Sequence, residues 1–374
     1  MRRARVAAVG VAALALAAAA SGGEPRSPLA REAFFGSVVA DVPAGATRVE
    51  LYVGDVRVRS ARVAGPRATL KVPRGPGRYD LRLRFESPRR LVRRDEAIGA
   101  WLLPRTGQTF RRERRRDARL SRRLASLGGA YPGWAAVWVH DLRTGTTAGW
   151  NSDASFPAAS TVKLGVLVAA LQRYGPRPER SGAWPLLRDL ATWSSNEASN
   201  RLLVLLGGSE SGGAAVVNRT LHRLGATSSF FTGNYRIGTG PVTQLGDAPK
   251  PLPVLTYRRT TAHDLGRILA ELHGAAVGNG LSARRAGLSR HEARVALGLL
   301  LSAGGGDNAG LLRPFTHHPL ARKEGWTTKL RHTAAIEYTP RGPRIVVVLT
   351  FHPTEVDERA SRELGRKVTW TIGS

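Results

Sequence analysis

The sequence FPAASTVKLGVLVAAL, residues 156–171, places a serine three positions before a lysine at the start of an apolar helix. Ser160, in the first turn, lies near backbone N–H groups and the positive end of the helix dipole, so its own N–H can serve an oxyanion hole. Lys163 lies on the same helix face within reach of the hydroxyl. Apolar neighbours lower the pKa of its ammonium, so the amine can act as a base. The stretch indicates a serine–lysine acyl-transfer site; the alternative is a helix cap followed by a solvated lysine.

A second motif, Ser194-Ser195-Asn196, comes just before another predicted helix. Ser194 can pass a proton to a leaving nitrogen, and the amide of Asn196 can orient both the substrate and Lys163. Taken alone, the motif is equally typical of a loop that caps a helix through Ser195 or Asn196.

A third motif, Lys323-Glu324-Gly325, comes before the last predicted strands. Gly325 lets a substrate lie along a strand edge, while Lys323 keeps the pocket electropositive. By itself the motif is also typical of an exposed strand edge. The order of the three motifs, each at a junction of helix or strand, favours the catalytic interpretation.

Lysine is rare in this chain. Only six of the 57 lysine and arginine residues are lysine, and two of the six fall in these motifs. A guanidinium stays charged in proteins, whereas an amine can lose its proton. The two lysines therefore indicate proton transfer.

From about Leu120 to Ser374 the chain resembles the class A β-lactamase family, whose fold is shared with penicillin-binding peptidases. The resemblance rests on four stretches: Trp134–Asn151 as the first hairpin, Phe156–Ser160 before the nucleophile, Ser194–Leu203 as the S-D-N loop and its helix, and Lys323–Gly325 as the K-T-G strand. It implies an α/β fold with an antiparallel sheet flanked by helices and a helical subdomain.

The resemblance also implies a role for each site residue. Ser160 is the acylated nucleophile, Lys163 the activating base, Ser194 the proton shuttle, Asn196 a substrate-positioning residue and Lys323 a support for charge and proton transfer. The backbone N–H groups of Ser160 and Trp326 form the oxyanion hole, and the substrate-binding residues are Glu324, Gly325, Trp326 and Thr327. No cofactor or metal is implied, and the histidines lack a zinc-ligand spacing.

Three departures from the family pattern concern the second half of the reaction. Class A enzymes carry a loop glutamate that activates water, yet this chain has no glutamate between Ser211 and Ala270. Asp247 is the only acid in the loop 227–260 and a weak substitute. Glu324 replaces a threonine that helps bind the substrate carboxylate, and Ser195 replaces an aspartate. Without a positioned base, deacylation is expected to be slow.

The length of 374 residues suggests two domains after an N-terminal signal. Residues 1–22 combine a basic start, a short apolar run and small residues, which is typical of a secretory signal peptide; uncleaved, the segment would be an anchor. Export to the envelope or the medium is expected. The chain has no cysteine, which excludes disulfides and thiol chemistry.

Residues 30–104 show period-two alternation broken by turn formers, which predicts a small immunoglobulin-like β-sandwich. Residues 105–119 are predicted as a basic linker and helix start, and 120–374 as the catalytic domain. Within these, helices are predicted over Arg111–Leu127, Ser160–Leu171, Asn196–Leu206, Ala262–Leu272, His291–Leu301 and Thr354–Val368. The first and last strands of the catalytic domain are expected to share one antiparallel sheet.

The net charge of +29 is concentrated most densely in residues 111–123. The run is predicted to be a solvated helix face, with attraction to anionic cell-wall polymers or lipid headgroups as the alternative. Nucleic acid is not expected, because no basic patch is interleaved with aromatic residues. A monomer is expected.

Three functions remain open on the sequence. The first is an exported serine hydrolase that is acylated by β-lactams. The second is a penicillin-binding-like peptidase acting on D-Ala-D-Ala stem peptides of peptidoglycan. The third is a non-catalytic wall-binding protein that keeps the fold.

Overall fold

The computed structural model describes residues 32–235, 258–304 and 310–373. The predicted signal peptide and Asp247 lie outside the described residues. Among the described helices, none is long and apolar enough to span a membrane.

The first part of the described chain is built from β-strands alone. The strands are β1 (Ala33–Phe35), β2 (Ser37–Asp41), β3 (Arg48–Val53), β4 (Val56–Arg62), β5 (Arg67–Lys71), β6 (Gly77–Ser87) and β7 (Arg90–Leu103). Five of them form a sheet in the order β1-β7-β6-β3-β4, and β2 pairs with β5. Alternate apolar residues from both sheets, such as Val38, Leu51 and Phe85, form one buried core. The immunoglobulin-like assignment and the domain boundaries stay predictions.

This β-module packs directly on the rest of the protein. Phe35 of β1 and Leu103 of β7 belong to the main hydrophobic core of the following region. The indole N–H of Trp101 donates a hydrogen bond to Ser302 Oγ at 2.9 Å. The module is therefore joined to the second region through shared core and not only through the chain.

The second region is a sheet with helices on both faces. Its strands are β8 (Arg115–Arg116), β9 (Trp134–Asp141), β10 (Thr146–Trp150), β11 (Phe156–Pro157), β12 (Arg259–Thr260), β13 (Leu320–Thr327), β14 (Leu330–Thr339) and β15 (Gly342–Phe351). Its helices are α1 (Ala118–Gly129), α2 (Lys163–Tyr174), α3 (Trp184–Thr192), α4 (Asn196–Gly207), α5 (Glu210–Arg223), α6 (Ala262–Ala276), α7 (Gly280–Ala286), α8 (Arg290–Leu301) and α9 (Glu358–Gly373).

The main sheet has the order β13-β14-β15-β9-β10-β8. All pairs are antiparallel except β10–β8. The first and last strands predicted for this region, β9 and β15, pair antiparallel in one sheet, as expected. One face packs on α2, α6 and α8, and the other on α1 and α9. Because β-strand side chains alternate between faces, strands β9, β13, β14 and β15 contribute to both cores.

The alternation of β13 decides which of its residues can reach the site. Ala321 belongs to the core with α2 and α8, and Leu320 to the core with α1 and α9. Lys323 and Gly325 therefore face the helical side that carries α2, while Glu324 faces the opposite side.

The basic segment before α1 is extended, so the prediction of a helix from Arg111 was wrong. The backbone N–H of Arg111 donates to Leu142 O at 2.7 Å, and β8 runs parallel to β10. Helix α1 begins after Asp117, whose carboxylate accepts the N–H of Leu120 at 2.8 Å. Asp117 thus accepts a hydrogen bond from a backbone N–H of the first helical turn that would otherwise lack a partner. The arginine side chains before it cannot do this, because a guanidinium has no hydrogen-bond acceptor.

Two other helices begin later than predicted. Helix α2 begins at Lys163 rather than Ser160, and α9 begins at Glu358 rather than Thr354. Helices α3, α5 and α7 were not predicted. Small residues weaken the apolar periodicity of α5 in particular, where Gly212 and Gly213 pack against the backbone of α4.

Candidate active site

Ser160 lies in a tight turn that leads into α2. The turn is closed by Lys163 N donating to Ser160 O at 3.2 Å and by Thr161 N donating to Ala158 O at 3.1 Å. Ala159, directly before the serine, has a φ of 45°, in the left-handed region that side chains disfavour. Ser160 is half-buried at the end of this turn. The turn therefore leaves Ser160 partly accessible, three residues before Lys163.

Lys163 is fully buried, and its amine is held by two acceptors. Its Nζ donates to Ser194 O at 2.5 Å and to Asn196 Oδ1 at 2.7 Å. A neutral amine has two N–H groups and one lone pair. With both N–H groups engaged, the lone pair of the neutral amine remains available to accept a proton.

Burial, assisted by the positive charges of Lys323 and Arg258, lowers the pKa of Lys163 to about 6. At neutral pH the amine is therefore mostly uncharged. That is the protonation state a general base needs.

Ser194 connects the two lysines. Its carbonyl accepts from Lys163, and its Oγ accepts from Lys323 Nζ at 2.6 Å. Its φ of 57° is in the left-handed region, a conformation that costs free energy in a serine and is held here by these contacts. Burial, assisted by the charge of Arg322, lowers the pKa of Lys323 to about 8. Ser194 and Lys323 thus form a second group that can give or take a proton.

Helix α4 positions the second motif. The hydroxyl of Ser195 accepts the N–H of Ala198 at 3.1 Å and caps the helix. Asn196 is the first helical residue, exposed to solvent and bonded to Lys163. The capping interpretation thus applies to Ser195, whereas the neighbouring Asn196 contacts Lys163.

Among the described strands none pairs with the outer edge of β13, and this edge borders the site. Strand β13 is the terminal strand of the sheet, and Tyr338 N donates to Pro319 O, so odd-numbered residues of β13 bond to β14. The N–H and C=O of Trp326 therefore point away from β14, as alternation in an antiparallel pair requires. An unpaired N–H at this place is available to an oxyanion.

Gly325 is required by close packing against the Ser160 turn. A Cβ at Gly325 would lie 3.1 Å from Thr161 Cγ2 and 3.2 Å from both Ala158 O and Ala159 Cβ. Beyond it, the side chains of Trp326 and Thr327 are exposed on the rim. The glycine thus brings the β13 edge against the nucleophile turn.

The carboxylate of Glu324 lies on the other face of β13, away from Lys163. It accepts a hydrogen bond from Arg322 Nε, and Arg322 Nη2 also donates to Ala303 O at 3.1 Å. Burial raises the pKa of Glu324, and Arg322 opposes that shift. Of the predicted substrate-binding residues, Glu324 is the one whose carboxylate lies on the face of β13 opposite to Lys163, although it lines one cavity together with Gly325 and Trp326.

Tyr235 was not singled out by the sequence, yet it contacts the base. Its ring centroid lies 4.2 Å from Lys163 Nζ and 4.2 Å from Arg258 Cζ. Its hydroxyl donates to Ala159 O at 3.2 Å. No motif or periodicity marks Tyr235 or Arg258, because only the fold places them beside Lys163.

The next carboxylates after the second motif in sequence, and the buried Asp264, form contacts outside the site. Glu197 pairs with Arg201 on the surface of α4 at 3.1 Å, and Glu210 accepts from Asn234. Asp264 is buried and accepts from Ser229 Oγ. Within the described ranges, no carboxylate is hydrogen-bonded to Lys163 or Ser194, and no cluster of His, Asp and Glu could hold a metal ion.

Comparison with known proteins gives one sequence family and a set of related structures. A family model described as "Beta-lactamase enzyme family" matches residues 119–177 and 173–372. No curated protein sequence matches the chain.

Solved structures match the second region. PBP-A is 19% identical, with 71% of this chain and 99% of PBP-A covered and a TM-score of 0.53. A β-lactamase from Streptosporangium roseum is 18% identical, with coverages of 69% and 99% and a TM-score of 0.53. A β-lactamase from Sphaerobacter thermophilus is 18% identical, with coverages of 68% and 94% and a TM-score of 0.51. These likenesses confirm the predicted fold class.

Proposed function

The chain belongs to the beta-lactamase enzyme family, as the sequence resemblance predicted, and from this membership we propose that it is a serine hydrolase acylated by β-lactams at Ser160 and slow to release the acyl group. The observation that carries the proposal is the arrangement around Lys163. A buried amine with both N–H groups engaged and a pKa of about 6 is a base at neutral pH.

The proposed acylation begins with proton transfer from Ser160. As Oγ attacks the lactam carbonyl, Lys163 Nζ takes the hydroxyl proton, and the backbone N–H groups of Ser160 and Trp326 stabilise the developing oxyanion. The lactam C–N bond then breaks and leaves an ester on Ser160. The leaving nitrogen takes a proton from Ser194, which is resupplied by Lys323.

Hydrolysis of that ester needs a water molecule and a base that activates it. The described residues around Lys163 offer an amide, a carbonyl, a second lysine and the ring of Tyr235, but no carboxylate. This composition supports slow deacylation. A mutant of PBP-A has been solved as an acyl-enzyme complex with penicillin G, which is consistent with a stable adduct on this fold.

The second candidate is a peptidase acting on acyl-D-Ala-D-Ala stem peptides. It is favoured by the free edge of β13, where Trp326 offers both an N–H and a C=O to an extended peptide. Both candidates share the acyl-Ser160 step and differ in the native acyl donor. No contact in the described residues favours a purely wall-binding role.

A chromogenic cephalosporin tests the proposal. We expect a burst of about one equivalent of product followed by a much slower steady rate, and neither phase in Ser160→Ala. A depsipeptide ending in D-lactate tests the peptidase candidate in the same assay format. Equal rates in wild type and Ser160→Ala would refute both.

We also propose that the protein is exported, with the segment 1–22 either removed or kept as an anchor. Culture fractionation with N-terminal sequencing distinguishes a processed secreted protein from an anchored one. We also propose that the protein binds anionic wall polymers and that it is a monomer.

A further inference from the structure

We propose that Tyr235 is a positioning residue for Lys163: its ring forms the wall that keeps water from the amine, and so sets the pH range in which Ser160 is acylated. The inference rests on the proposed acylation by Lys163. Tyr235 lies outside the three sequence motifs.

The first support is the position of the ring. Tyr235 is buried, and its ring centroid lies 4.2 Å from Lys163 Nζ. The two hydrogen bonds of the amine run to Ser194 and Asn196. The ring is thus an apolar neighbour of the amine, beside its two polar partners. Removing it would let solvent reach Nζ.

The second support is how the backbone of Tyr235 is held. Its N–H donates to Asn200 Oδ1 at 2.7 Å, and its C=O accepts from Asn200 Nδ2 at 3.4 Å. Asn200 lies four residues after Asn196 and therefore on the same face of α4. One helix face thus positions both the hydrogen-bond acceptor of Lys163 and the ring that covers it.

The third support is the hydroxyl of Tyr235. It donates to Ala159 O, the carbonyl of the strained residue directly before Ser160. The same side chain thus contacts the base and the turn that carries the nucleophile, so their relative position depends on Tyr235.

The ring has two opposite electrostatic effects on Lys163. A cation over an aromatic face is attracted, which favours the ammonium. Burial disfavours the ammonium and favours the neutral amine. Among the described residues, the charged groups that face Lys163 are Lys323 from β13 and Arg258 from the segment before β12, and both disfavour a further positive charge. We infer that exclusion of water is the larger effect, so removal of the ring raises the pKa of Lys163.

The test is the rate constant of acylation by benzylpenicillin, measured against pH. For Tyr235→Ala we expect the acid-side midpoint to move up by about two pH units, and the rate at pH 7 to fall about tenfold as the neutral fraction falls. Tyr235→Phe keeps the ring and is expected to keep the midpoint. If Tyr235→Ala does not fold, Tyr235→Asn replaces the ring by a small polar group and gives the same readout.

The matched control is Phe231→Leu. Phe231 is fully buried with its ring centroid 5.6 Å from that of Tyr235, so its replacement disturbs the same core. Its midpoint should stay at the wild-type value. A midpoint for Tyr235→Ala that is unchanged or lower would overturn the proposal. If wild type itself is not acylated, the proposed function fails instead.

Discussion

The burial that makes Lys163 suitable as the proposed base costs stability. Within the described ranges its side chain has no carboxylate partner, and its amine is held neutral by burial and by two nearby cations. In the unfolded chain the same amine is protonated up to a pH of about 10. Folding at neutral pH therefore requires this group to release a proton, which opposes folding.

The pH dependence of stability has a definite sign. Between a folded pKa of about 6 and an unfolded pKa near the ordinary lysine value of 10.5, the unfolded state binds more protons at Lys163, so stability rises with pH. We expect this lysine to contribute a slope of about 1.4 kcal/mol per pH unit in that window. In Lys163→Met this contribution to the slope should be lost.

Chemical denaturation between pH 6 and pH 9 measures that slope. The slope of the free energy of unfolding against pH is a better readout than its value at one pH. The reason is that Lys163→Met also lowers stability at every pH, because it leaves Ser194 O and Asn196 Oδ1 without the donor from Lys163. Lys367→Met, at a half-exposed lysine of α9, serves as the control and should keep the wild-type slope. Identical slopes for Lys163→Met and wild type would show that Lys163 is charged in the folded protein.

At the scale of elements, the site is made where the edge of β13 meets the turn before α2. Gly325 permits that contact, since each atom a Cβ would meet lies at 3.1–3.2 Å. We expect Gly325→Ala to push the strand from the turn and lower stability by about 1–3 kcal/mol. Acylation should fall by at least tenfold, because the N–H of Trp326 moves with the strand.

Gly129→Ala is the control for that substitution. Gly129 ends helix α1, and a Cβ there would meet nothing within 4 Å. Its acylation rate should match wild type. Wild-type acylation by Gly325→Ala, measured by stopped flow, would show that the close contact does not position the oxyanion hole.

The sequence predicts those parts of the site that short motifs mark, and not those that only the fold brings together. The motifs of Ser160, Ser194 and Lys323 are local patterns at element junctions, and the structure brings all three together. Tyr235 and Arg258 could not be found in this way, since only the fold places them beside Lys163. The start of α1 was mispredicted because charge pattern does not distinguish a helix face from an extended strand.

At the scale of the whole molecule, the β-module and the second region share one hydrophobic core. Ala33, Phe35 and Leu103 pack in the same cluster as the helices of the second region. We therefore expect the two parts to unfold together. Calorimetry should give one endotherm with equal calorimetric and van't Hoff enthalpies, whereas two separate endotherms would show an independent module.

The central claim is a long-lived acyl group on Ser160, and intact-protein mass spectrometry with benzylpenicillin measures it directly. The account predicts that wild type gains one penicillin mass within the mixing time and that a peptide map places it on Ser160. It also predicts that the adduct persists after free penicillin is removed, and that Ser160→Ala gains no mass. A wild-type protein that gains no mass and hydrolyses nothing, or an equal adduct on Ser160→Ala, would contradict the account.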